Sequence, residues 1–191
     1  MVACAFEDAE AWGGPVVLAL AQATDLAWAA AIARREWSIV RQSSGNVGER
    51  INAVDELLRR NGARSLVFVG TNAPIHDESD YAAVRAALET ADVALTPATD
   101  GGVTVMAARR PWPDLATLAW STKRLAAELA YLCEREGLKV EKLGRRYRLE
   151  TIDAEHIDDC ARLVEDLAAD ARAKRKALVA IARRMLAART A

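Results

Sequence analysis

Apolar residues fall along the chain in two rhythms. Short apolar runs recur at 15–22 (PVVLALAQ), 38–41 (SIVR), 65–69 (SLVFV), 92–97 (DVALTP) and 103–108 (VTVMAA). Runs of this length, bounded by Gly, Pro, Asn and Asp, predict strands. Between them the spacing turns helical. A helix capped by Thr24-Asp25 runs to about Arg35, and another carries Val47, Ile51, Val54 and Leu58 on one face until Asn61-Gly62 stops it. Further helices are predicted from Asp77 or Ser79 to Ala91, from an N-cap at Ser121 to about Glu136, from Thr151 or Asp153 to about Leu167, and over roughly 170–188. Two short strands, 138–143 and 146–149, flank Gly144. Strands alternating with helices predict an α/β fold with a mostly parallel central sheet flanked by helices. The pair around Asp100-Gly101-Gly102 is expected as an antiparallel or reversed edge element.

Composition narrows the class. With 191 residues, 52% hydrophobic and 28% charged, the chain suits a folded, helix-rich domain with a full core. A net charge of −1 gives it no overall attraction to nucleic acid or membrane. No run approaches 18 apolar residues, so no membrane span is expected, and the acidic start MVACAFEDAEAWGG does not read as a signal peptide. Cys4, Cys133 and Cys160 are scattered without metal or disulfide spacing, which fits a reducing cytoplasm. The charge is uneven, however. From residue 171 onward there are seven Lys/Arg and no acid, leaving the rest at −8. This divides the chain into an α/β domain, 1–169, and a basic amphipathic helix, 170–191. The helix has Leu178, Ile181, Ala182, Met185 and Leu186 on one side. Such a stripe docks on the parent domain, on a second copy or on a protein partner. It contains no aromatic residue, which argues against nucleic acid.

Candidate chemistry centres on SLVFV and the loop after it, Gly70-Thr71-Asn72-Ala73-Pro74. The run reads as a buried parallel strand, and ligands of open α/β sheets bind beyond the carboxyl ends of strands. Asn72 is neutral there, offering a carbonyl oxygen and an amide donor where an Asp would offer a hard anionic ligand. In Gly45–Arg50 (GNVGER) a loop enters a helix, whose first N–H groups could hold a phosphate with Arg50 as a second contact. The plainer reading is a tight loop with solvated charges. Asp100-Gly101-Gly102 reads either as a general base beside a close ligand approach or as an ordinary Asx turn. Trp120 reads as packing, and His76 and His156 as surface residues, with a ligand contact open to His76.

Taken in order, GNVGER, SLVFVGTNAP, DVALTPATDGGVTVMAARRP, LAWSTKRLAAE and RLETID resemble the bacterial DUF2064 family of glycosyltransferase-like proteins. The resemblance covers roughly 15–159 and implies a nucleotide-diphospho-sugar transferase fold of GT-A type. It implies Asp100 as the catalytic residue. Arg50, Gly70, Thr71, Asn72, Gly101, Gly102, Ser121 and Arg148 would be ligand-binding residues, with Glu150 as a remaining metal ligand. The implied partner is a nucleotide sugar and the implied cofactor is a divalent cation, Mg2+ or Mn2+. Several departures bear on this. Where the family pattern has Asp, this chain has Asn46 and Asn72; Ala73, Val103 and Thr104 replace a Ser and two Tyr; and Arg148 opens the RLET run that is Asp-Val-Asp-Thr in the family. The family's first strand and Pro-Gly-x-x-Lys-Thr-Arg-Leu phosphate loop have no counterpart, and residues 1–14 are expected to be the tail of the helix that follows them. Replacing carboxylates by amides weakens a dication site by orders of magnitude, and Arg148 could stand in as a phosphate partner. Two functions therefore stay open. One is a nucleotide-sugar-dependent transferase with weak or no metal use. The other is a homologue with a degenerate active site, binding a ligand or a protein through its last helix.

Overall fold

The computed structural model describes residues 1–149 and 157–189. Helix α1 (Val2–Ala11) leads into strand β1 (Val17–Leu20), a 3-10 turn, helix α2 (Leu26–Ile32) and strand β2 (Ser38–Arg41). Helix α3 (Val47–Arg60), strand β3 (Leu66–Val69), helix α4 (Glu78–Thr90), strand β4 (Val93–Pro97) and strand β5 (Val103–Ala108) follow. Helix α5 (Leu125–Arg135), strand β6 (Val140–Lys142), helix α6 (Ile157–Asp166) and helix α7 (Ala173–Arg189) complete the order. Helix α1 covers Val2–Ala11 of residues 1–14, and α3 ends at Asn61 with Gly62 at φ +93°, as its sequence signal required.

The strands make two sheets. Strands β1 and β2 pair in parallel, and a four-stranded sheet runs in the order β3-β5-β4-β6. Strands β4 and β6 are parallel, while β5 is antiparallel to both β3 and β4. Three of the four strands thus point the same way. Two expectations change here. The reversed strand β5 sits inside the sheet rather than at its edge. Strand β3 is an edge strand, its partner among the described residues is antiparallel, and Val69 is 39% exposed. SLVFV is apolar because of the sheet's faces, not because it lies in the middle.

Alternating side chains cover both faces of this sheet. Val93, Leu95, Met106 and Ala108 pack with Leu129 and Cys133 of α5 and with Trp112 and Leu115. On the other face Ala94, Val105 and Ala107 meet Val84 and Ala87 of α4. A third cluster joins Cys4 of α1, Tyr147 and Leu149, Leu163 of α6, and Leu178, Val179 and Ala182 of α7. The apolar stripe of the basic helix is therefore largely spent inside the molecule. All three cysteines are buried thiols.

Candidate functional site

The site forms where three loops meet beyond the carboxyl ends of β3 and β4. The segment 146–149 joins them. Its Arg146 N–H donates to Pro97 O at 3.0 Å, and Thr99 N–H donates to Arg146 O at 2.9 Å, so the segment prolongs the sheet beside the end of β4. Leu149 N–H then donates to Asn72 O at 2.8 Å, carrying the segment to the loop after β3. Between these anchors Arg148 Nε donates to Asp100 Oδ2 at 2.8 Å. Asn72, Asp100, Gly101, Gly102 and Arg148, singled out separately in the sequence, thus share one locale. Gly70 and Thr71 are exposed beside Asn72, and Gly70 N–H closes the ladder on Thr104 O at 3.1 Å. Glu150 lies outside the described residues, as does His156.

Glycine is required at one of these positions and makes room at a second. At Gly101, φ is +90° and an added Cβ would stand 1.9 Å from Lys123 O. The entry to α5 therefore rests on this turn, and Ala126 N–H donates to Gly101 O at 2.9 Å. At Gly102 an added Cβ would lie 2.8 Å from Arg148 Cζ. The missing side chain lets the guanidinium lie against the backbone.

Asp100 makes the Asx turn and a second bond that the sequence did not suggest. Oδ1 accepts from Gly102 N–H at 2.9 Å, which is the Asx turn, and Oδ2 takes Arg148. Burial works to raise its pKa, but the Gly102 amide and the Arg148 guanidinium outweigh it and hold the carboxyl below its ordinary range. A carboxylate held ionised and clasped in this way is a poor proton acceptor at neutral pH. Among the described residues the donors around Asp100 are also ill suited to a dication. Asn72 is neutral, Asp100 is already paired with a cation, and a guanidinium occupies the neighbouring ground.

The remaining candidates sit differently. Ser121 does not cap α5, which starts at Leu125 after Arg124. It is exposed at φ 64°, a left-handed conformation that costs a non-glycine residue about 1 kcal/mol, next to the Lys123 carbonyl that covers Gly101. Asn46 serves the fold. It caps α3 by accepting from Glu49 N–H at 3.0 Å, and its amide donates to Ala116 O at 2.9 Å, a bond that an Asp could not make. Arg50 Nε donates to Gly45 O at 2.8 Å, and its side chain lines a cavity with Ala19 and Phe68 rather than meeting Asn72 or Asp100. Neither that cavity, about 110 Å³, nor a larger one of about 490 Å³ at Asn52, Arg59 and Trp112 is lined by the residues around Arg148.

Behind the loop after β3 lies a network that the sequence did not reveal. His76 is fully buried rather than on the surface, with Nδ1 3.2 Å from Asp80 Oδ2. Arg146 reaches the same carboxylate at 2.6 Å. Burial would raise the Asp80 pKa, but the bonds from His76 and Arg146 hold it at about 2. Arg175 of α7, fully buried, donates to Pro74 O at 3.0 Å, to Cys4 O at 2.6 Å and to both oxygens of Asp8 at 2.7 Å. The one sequence signal is the density of basic residues in that helix.

Residues 5–122 match the family described as "Uncharacterized protein conserved in bacteria (DUF2064)". The chain belongs to this family. Among curated proteins nothing matches it. Its fold is similar to that of an inferred nucleotide-diphospho-sugar transferase from Desulfovibrio desulfuricans G20. The TM-score is 0.75 and the identity 17%, over 90% of this chain and 77% of that one. This DUF2064 protein therefore has the nucleotide-diphospho-sugar transferase fold. A homologue of a Mycobacterium tuberculosis protein, from Mycobacterium sp. strain JC1, matches over 81% of this chain and 75% of its own at 18% identity and a TM-score of 0.48, too low to carry an argument.

Proposed function

We propose that this DUF2064 protein binds the diphosphate of a nucleotide sugar at the loops after β3 and β4, with Arg148 doing the work of a cation. Transfer is then weakened or lost. The observation that carries the reading is the Arg148 guanidinium seated over Gly102 and against Asp100, at the end of the sheet where this fold binds ligands. A guanidinium recognises phosphate oxygens bidentately and carries a fixed positive charge, so it can neutralise a diphosphate without a carboxylate cage. Gly70 is exposed and keeps one approach to the backbone open, and Asn72 and Ser121 offer neutral hydrogen-bonding groups for hydroxyls. Asp100 orients Arg148 rather than taking a proton. This favours binding over transfer, because the developing charge of a leaving diphosphate meets one monocation in place of a dication.

Calorimetric titration with UDP-, GDP- and dTDP-glucose, in EDTA and again in Mn2+, tests the reading. Binding of one of them in EDTA, unchanged by Mn2+ and reduced at least tenfold in Arg148→Ala, is the expected result. Binding that requires Mn2+ overturns the arginine's role. Absence of binding to all three in both buffers overturns the nucleotide-sugar reading.

A further inference from the structure

The turn under Arg148 bears a second cation. Gly101 and Gly102 are consecutive, with Cα atoms about 3.8 Å apart. Arg148 lies against Gly102, its Cζ 2.8 Å from where a Cβ would stand. Lys123 lies against Gly101 in the same sense, its Cα 2.7 Å from the corresponding point. The two cationic residues therefore flank one two-residue turn. Backbone bonds keep Lys123 there. Leu125 N–H donates to Thr122 O at 3.3 Å and Ala126 N–H to Gly101 O at 2.9 Å, so α5 begins against the turn and directs the positive end of its dipole at it.

Net charge is what the rest of the locale lacks. Arg148 donates to Asp100 at 2.8 Å, so that pair is neutral as a unit. Arg146 is engaged by Asp80 at 2.6 Å and Arg124 by Glu128 at 3.1 Å. Lys123 is exposed and forms no ion pair among the described residues, although Arg124 beside it does. We propose that Lys123 is a second phosphate contact, closing on the diphosphate from the Gly101 side while Arg148 holds it from the Gly102 side. The inference rests on the nucleotide-sugar reading above. The two side chains divide the task. Arg148 is held in one orientation by Asp100 and presents a planar fork. Lys123 ends in a compact ammonium on a flexible four-carbon stem, which follows the phosphates of a bound ligand. An entering anion meets the whole charge of Lys123, since no internal carboxylate has to be displaced. A mobile ammonium of this kind adds affinity without supplying the preorganised charge that a leaving group needs.

The test titrates inorganic pyrophosphate and UDP-, GDP- and dTDP-glucose into the full chain in EDTA. Each titration is run at low salt and at about 1 M NaCl, where the Debye length falls to about 3 Å. Lys123→Gln should weaken pyrophosphate and whichever sugar nucleotide binds at least fivefold at low salt, and less than twofold at high salt. Lys123→Arg should restore binding to within twofold. Arg124→Gln changes net charge equally at the next residue and should stay within twofold of wild type. Unchanged binding in Lys123→Gln alongside a loss in Arg148→Ala overturns the inference and leaves the nucleotide-sugar reading standing. Equal losses in Lys123→Gln and Arg124→Gln also overturn it, because net charge alone then accounts for both. Pyrophosphate binding that depends on Lys123, with no sugar nucleotide bound, overturns the nucleotide-sugar reading and keeps Lys123 as an anion contact. Absence of binding to every one of these ligands overturns both.

Discussion

Replacing Arg175 by Met tests whether the buried network truly holds α7 and the loop after β3 to the domain. The side chain is fully buried, and its guanidinium bonds Asp8, Glu7 and the carbonyls of Cys4, Pro74 and His76. Met keeps the apolar stem and leaves Asp8 with Arg172 at 2.9 Å and the Tyr81 hydroxyl at 2.9 Å. Breaking one side of a buried pair costs about 3–5 kcal/mol, because the partner charge stays buried. For a domain of this size that lowers Tm by roughly 6–20 °C. Urea unfolding at pH 7, followed by circular dichroism, measures the loss. A second leg fixes the cause. Burial pushes the Asp8 carboxyl above its ordinary range, and Arg175 is the main force against that shift. Without Arg175 the carboxyl rises further, so the folded state binds its proton more tightly than the unfolded state does. Stability is then regained as pH falls through that raised value, and the deficit against wild type narrows from pH 7 to pH 5. A loss under about 1 kcal/mol at pH 7, well short of the cost of breaking a buried pair, would refute the argument. So would a deficit that widens on acidification.

Asp80 gives the opposite sign. Its pKa of about 2 lies below the unfolded value, so its contribution is present above about pH 4 and is lost as pH falls toward 2. Asp80→Asn should lower stability by about 2 kcal/mol at pH 7 and match wild type near pH 2 in paired urea titrations. Gly101→Ala should cost at least about 2 kcal/mol more than Gly137→Ala. Both residues have positive φ, but the new Cβ meets Lys123 O at Gly101 and nothing within 4 Å at Gly137; equal losses in thermal melts would reject the close approach. Burial pushes the Cys133 thiol up to about 12 and raises that of Cys4 as well. Neither should react with a thiol reagent at pH 8 until urea unfolds the chain, and rapid labelling of the folded protein would contradict their burial.

What the sequence made legible was local. The apolar run at 38–41 is β2 to the residue, and Asp77 caps α4 by accepting from Ser79 and Asp80 N–H groups. Caps and stops act within a few residues, so their signals survive in the sequence. Sheet order does not survive, because it depends on pairings far apart in the chain. The apolar run of β3 cannot say whether its neighbour is parallel, antiparallel or absent. Ser121 shows another limit. The residue type suits an N-cap, but the close packing of Lys123 O on Gly101 fixes where α5 begins, and Ser121 is left in a strained turn.

Asn46 and Asn72 separate two kinds of departure that looked alike in the sequence. Both stand where the family pattern has Asp. At Asn46 the amide has structural work on both ends, capping α3 and tethering Ala116, so its neutrality is explained without any ligand. At Asn72 the backbone carbonyl holds Leu149, which fixes the strand segment that carries Arg148 to Asp100. Loss of charge at position 72 and gain of charge at position 148 therefore occur within one hydrogen-bonded unit. On the proposed reading a carboxylate at position 72 would add negative charge to the loop that Leu149 joins to the Arg148 segment, where a phosphate would have to approach. An amide adds none. The proposal of a site rebuilt around an arginine rests on this pairing rather than on the count of lost acids.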